Sequence, residues 1–151
     1  MIIIGVIGVV AIAALAASDD PTINPPSSGN NGEYNYSVST VTSFNYTLSG
    51  TPLVMTASAG NEYKIATITL MNTNYSGGID TGPVWFKFNV NGVKYAWDTA
   101  TLFHPDYKDT VTLAKGSKYT FTVVFQVPIG TTGEIVWDGL PPNVVYNSAL
   151  V

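Results

Sequence analysis

The sequence predicts a mainly β protein: a single N-terminal apolar α-helix followed by an antiparallel β-sandwich of about eight strands. Three observations predict it. Met1 to Ser18, MIIIGVIGVVAIAALAAS, contains no charged residue. From Tyr34 onward apolar and polar residues alternate with period two, the pattern of half-buried strands, and helical spacing does not recur after residue 18. Turn signals separate the alternating runs at intervals of roughly 8–12 residues, as in an all-β sandwich.

In the opening segment, Ile2, Ile3, Ile4, Val6, Ile7, Val9, Val10, Ile12 and Leu15 supply apolar side chains, and Gly5, Gly8 and five alanines supply small ones. A secretory signal peptide would suit the Ala14-Leu15-Ala16 sequence, but it also needs a basic start, and nothing basic precedes Ile2. A membrane span needs about 20 apolar residues; eighteen helical residues reach about 27 Å. The flank that follows is acidic, Asp19-Asp20, where a fixed anchor carries basic residues. A helix apolar on every face must be buried all round, and small residues let helix backbones approach closely. The segment is therefore expected to pack against copies of itself.

Residues 19–32, DDPTINPPSSGNNG, hold three prolines and two glycines, with Ile23 the one apolar side chain. Proline cannot continue a helix and Pro-Pro favours an extended path, so this stretch reads as a linker. Residues 33–151 form the head domain. YNYSVSTVTSFNYTL is expected to be one long first strand, long enough to be donated to a neighbour. EYKIATITLMN follows. In VWFKFNV, Val84, Phe86, Phe88 and Val90 share one face. Asn91-Gly92 then marks a two-residue hairpin, because a type I′ turn needs positive φ at both central positions. The return strand would pair Val90 with Val93, Phe88 with Tyr95 and Phe86 with Trp97. TVTL is a short strand, and KYTFTVVFQVP points Tyr119, Phe121, Val123, Phe125 and Val127 inward until Pro128 ends it. EIVW and NVVY complete the set. The expected sandwich core centres on Phe86, Phe88, Tyr95, Trp97, Phe121 and Phe125, and the pattern is that of an immunoglobulin-like sandwich.

Composition narrows the function. Only 11% of residues are charged, against 46% hydrophobic; 18 Thr, 12 Asn and 11 Ser provide most of the polarity. Six Lys, no Arg and a net charge of -4 leave nothing to neutralise phosphates, which excludes nucleic acid as a partner. Cysteine is absent, so disulfides, thiol catalysis and zinc-thiolate sites are excluded and the head must be held by packing. His104 is the single histidine and reads as a loop residue held by Pro105. Asp98, Asp106 and Asp109 carry oxygens that suit Ca²⁺, but no D-x-[DN]-x-[DN]-G loop is present, and turn capping is the expected role. Glu62, Glu134 and Asp138 are scattered at strand ends with nothing pairing them as a hydrolase dyad. No cofactor or metal is expected, and no enzymatic activity. Three N-x-[ST] sequons place candidate N-glycosylation at Asn35, Asn45 and Asn74.

An uncharged apolar helix at the very start, with no basic residue before it, resembles the type IV pilin superfamily, in which a leader is clipped off ahead of the apolar stretch. Bacterial members carry Glu at the fifth position; here it is Gly5, as in archaeal pilins and archaellins, which attach a β-sandwich head. The run from Glu62 to Gly139, with TLMN, NG and LAKGSKYTFTVVFQVP, also resembles immunoglobulin-like domains of secreted prokaryotic proteins. The resemblance implies a structural subunit of an extracellular, cell-surface filament for adhesion, its helix in the filament core and its sandwich outside. An archaellin-type motility filament and a membrane-anchored binding module are the alternatives. The partners implied are copies of itself, the membrane before assembly, and glycans on Asn.

Overall fold

The computed structural model describes residues 30–150. Among them are eleven strands: β1 (Gly32–Val41), β2 (Ser43–Leu48), β3 (Thr51–Thr56), β4 (Asn61–Asn72), β5 (Ile79–Thr81), β6 (Phe86–Val90), β7 (Val93–Tyr95), β8 (Val111–Leu113), β9 (Lys118–Pro128), β10 (Glu134–Trp137) and β11 (Val144–Tyr146). They form a four-stranded sheet β11-β1-β4-β9, a three-stranded sheet β10-β6-β7, and two ribbons, β2-β3 and β5-β8.

The two larger sheets face each other because alternation supplies both with an apolar side. Ala66, Ile68 and Leu70 of β4 and Phe121, Val123, Phe125 and Val127 of β9 meet Phe86, Phe88 and Ile135 of the smaller sheet in one buried cluster. Phe88 lies 5.9 Å from Phe125 and Phe86 lies 5.8 Å from Phe121, centroid to centroid. The Tyr34 hydroxyl crosses the gap and donates to the Ile135 carbonyl at 2.8 Å. That bond satisfies a buried phenol that would otherwise carry a desolvation cost.

Two-residue hairpins are set by backbone sign. Asn91 and Gly92 have φ of 51° and 88°, as a type I′ turn requires. Ser49 and Gly50, at 51° and 82°, make the equivalent turn between β2 and β3.

Several expectations are corrected. The fold class stands as mainly β, but not as one N-terminal helix with an antiparallel sandwich of about eight strands. No α-helix occurs among the described residues, where the helical turns are 3-10 segments at Pro83–Trp85 and Thr99–Phe103; none is long and apolar enough to cross a membrane. The helix expected over residues 1–18, with Ile2, Ile3, Ile4, Gly5, Val6, Ile7, Gly8, Val9, Val10, Ile12 and Leu15, lies outside the described residues. The strands are divided among several small sheets, and β1 pairs with β11 in parallel. Short three-residue strands carry too little alternation to be counted from sequence, and only the long return from β10 brings β11 alongside β1.

The expected first strand is two strands. At Thr42 the chain bends, β1 stays paired with β4 along its whole length, and β2 turns away to pair with β3. Both halves are thus occupied within the chain. In the hairpin, Val90 faces Val93 and Phe88 faces Tyr95 as expected. Phe86 instead faces Trp137 of β10, because β7 ends at Tyr95 and the chain leaves toward β9, where the Asp98 N–H donates to the Val124 carbonyl at 2.7 Å. Pro83 opens a 3-10 turn, so Val84 is exposed and the strand begins at Phe86.

Candidate interaction surface

β4 and β9 bury both faces. Opposite the main core, Tyr63, Val124 and Ala100 form a second buried cluster, against which Phe44, Met55 and Ile65 pack. Thr101 holds the covering segment in place: its hydroxyl accepts the Val124 N–H at 2.9 Å and donates to the Val124 carbonyl at 3.2 Å. Asp98 caps the 3-10 helix by accepting the Ala100 N–H at 2.8 Å, and its other oxygen accepts from Gln126 Nε2 at 2.8 Å. Gln126 in turn accepts the Ser58 N–H at 2.6 Å, fixing the end of the β2-β3 ribbon.

Beyond Phe44 and Met55 the ribbon overhangs the body. Tyr46 meets Phe103 at 5.4 Å, and a shallow depression of about 440 Å³ lies between Tyr46, Leu53 and Pro105, bordered by Asn45, Thr47, Pro52 and Val54. Leu48, Leu53, Val54, Leu102 and Phe103 are all exposed around it. Residues 34–61 contain no charged side chain. That run was the available sequence signal for this surface; it is masked there by abundant Thr, Ser and Asn.

Of the expected core residues, Phe86, Phe88, Phe121 and Phe125 are buried, while Tyr95 and Trp97 are partly buried against the same cluster. The sequons differ. Asn45, on β2, and Asn74, in the loop after β4, are exposed. Asn35 is half-buried on β1, and its amide donates to the Leu150 and Ser148 carbonyls at 2.9 and 3.4 Å. The Asn74 loop is anchored by the fully buried Asn72, whose amide donates to the carbonyls of Tyr75 and Leu113 and whose oxygen accepts the Tyr75 N–H.

The ionisable residues are tied to separate partners. Glu62 pairs with Lys64 at 2.9 Å inside the end of the sandwich. Glu134 accepts from Asn89 at 3.4 Å, and Asp138 faces Lys87 and Lys94, both at 3.7 Å. Asp109 accepts from the Tyr107 hydroxyl at 3.0 Å. His104 packs on Phe44 at 5.0 Å, and its Nδ1 accepts the Asp106 N–H at 3.1 Å. Burial pushes its pKa below the usual value, against the opposing influence of Asp106. Burial likewise pushes Tyr36 up to about 12. Among the described residues no group of three or more His, Asp or Glu stands close enough to hold a metal ion. Comparison with protein-family models, curated proteins and solved structures finds no match to this chain.

Proposed function

We propose that the chain is a structural subunit of an extracellular, type IV pilus-like filament serving adhesion or surface attachment. In it, the apolar segment 1–18 is buried among copies of itself and the β domain stands outside. The observation that carries this reading is the charge-free segment joined through a proline-rich stretch to a cysteine-free β domain. Burying nine aliphatic side chains per copy, at about 25 cal/mol per Å² of apolar surface, supplies the drive for assembly.

The way the chain enters the fold supports the reading. β1 begins at Gly32 between two neighbours, with ten residue pairs to β4 and three to β11. The Asn31 N–H also donates to the Asn143 carbonyl at 2.8 Å. Tension arriving through the linker is therefore spread across a four-stranded sheet rather than peeling an edge strand. A membrane-anchored binding module is a second reading, favoured by the exposed apolar ribbon.

Electron microscopy of filaments sheared from cells expressing the full chain tests the proposal. Ile7→Lys is expected to abolish filaments while leaving thermal unfolding of the β domain unchanged, since a lysine cannot be buried in an apolar bundle without a partner. Filaments that persist unchanged in this variant overturn the reading.

A further inference from the structure

We propose that the overhanging β2-β3 ribbon, with the adjoining Leu102–Phe103 turn, is the contact through which a second copy of this chain packs on the first. The inference rests on the filament reading and deepens it, naming the lateral contact between neighbouring β domains.

By strand alternation, Leu48 and Leu53 lie on the same side of the ribbon as Phe44 and Met55. Phe44 and Met55 are covered by the second cluster; Leu53 and Leu48 extend past it and are 37% and 50% exposed. Phe103, 39% exposed, continues this apolar side across the depression beneath the ribbon. A two-stranded ribbon gains its stability from what covers its apolar face, and here the outer half of that face has no cover within the described residues.

Charge selects the occupant. The chain carries a net charge of -4, so two copies repel wherever their charged surfaces meet. Residues 34–61 form the longest charge-free run among the described residues, and the ribbon lies within it. Identical copies can therefore approach through it without a like-charge penalty. Asp106, Lys108 and Asp109, just beyond Pro105, offer both signs at the margin. An anionic lipid surface or a nucleic acid would need cations that the ribbon lacks. Docking proceeds through side chains and not by strand addition, because Pro52 leaves β3 without a donor in the middle of its run. Asn45 and Val54 face the other side of the ribbon, which keeps the sequon clear of the contact.

The test uses the full chain carrying Leu53→p-benzoylphenylalanine, prepared as a mixture of isotopically light and heavy copies and irradiated. The expected products are light–heavy cross-linked peptides that join position 53 to residues 44–54 or 102–105. Leu48→Lys and Phe103→Lys, each at an exposed position, are expected to lower their yield about tenfold or more, and Val84→Lys to leave it unchanged. Cross-links confined to one copy, cross-links to residues 1–18, a yield indifferent to Leu48→Lys and Phe103→Lys, or no cross-link at all would each overturn the contact. Microscopy of the same samples separates the two readings. Light–heavy cross-links without filaments uphold the contact and overturn the filament; filaments without such cross-links do the reverse.

Discussion

Lys64 and Glu62 sit two residues apart on β4, on the face that also carries Ala66, Ile68 and Leu70, with side chains only 10% and 9% exposed. Lys64 also donates to Thr40 at 3.0 Å, and Glu62 accepts the Gly130 N–H at 3.1 Å. Removing one partner strands the other charge in the sandwich. Lys64→Met is therefore expected to cost about 3–5 kcal/mol in chemical denaturation, and Glu62→Leu/Lys64→Met to recover most of that loss. His104 makes a pH prediction. Its Nδ1 must be unprotonated to accept the Asp106 N–H, and its folded pKa lies below the unfolded value of 6.5. Between those two values the unfolded chain binds the extra proton, so stability rises with pH. The contribution is complete above about pH 6.5 and is lost as pH falls through the folded pKa. Unfolding midpoints measured from pH 8 down to pH 5 should show this slope, and His104→Gln should remove it.

At the scale of elements, the exposed edge of β9 is a hazard that the fold closes. Unpaired backbone groups on a strand edge invite pairing with other chains. The Thr101 hydroxyl takes the place of a strand neighbour by serving both the N–H and the carbonyl of Val124. Thr101→Val keeps the shape but leaves two buried backbone groups unsatisfied. A loss of about 1–3 kcal/mol per orphaned group is expected, together with faster amide exchange at Val124. This plug was not legible in the sequence: TATLF has no helical period, and its partner lies 23 residues away. The NG hairpin was legible because its turn chemistry is local. The SG turn between β2 and β3 has the same backbone signs but lies in a Ser- and Thr-rich run that reads as one strand.

Across the whole molecule, the three sequons are equivalent in sequence and unequal in the fold. An Asn side chain must be free to leave the surface before a glycan can be attached to it. Mass spectrometry of the protein from its native surface is expected to find glycan on Asn45 and Asn74 and none on Asn35, whose amide is held by the C-terminal residues Ser148 and Leu150. Modified Asn35 would show that modification precedes closure of β1 against the C-terminus. The same closure ties residues 32–36 to residues 144–150, so the two ends of the described domain stabilise each other.

Composition and alternation by themselves determined that this is a mainly β, cysteine-free chain with an apolar, uncharged opening segment and a linker. They also placed Phe86, Phe88, Phe121 and Phe125 in the core, because residues two apart must share a face whatever surrounds them. Only the tertiary structure decided how strands were shared among sheets, that Phe86 faces Trp137 and not Trp97, that β1 and β11 run parallel, and that β4 and β9 are covered on both sides. Those outcomes depend on contacts between segments distant in sequence, where each local pattern is compatible with several partners. Packing of the assembled chain selects one of them.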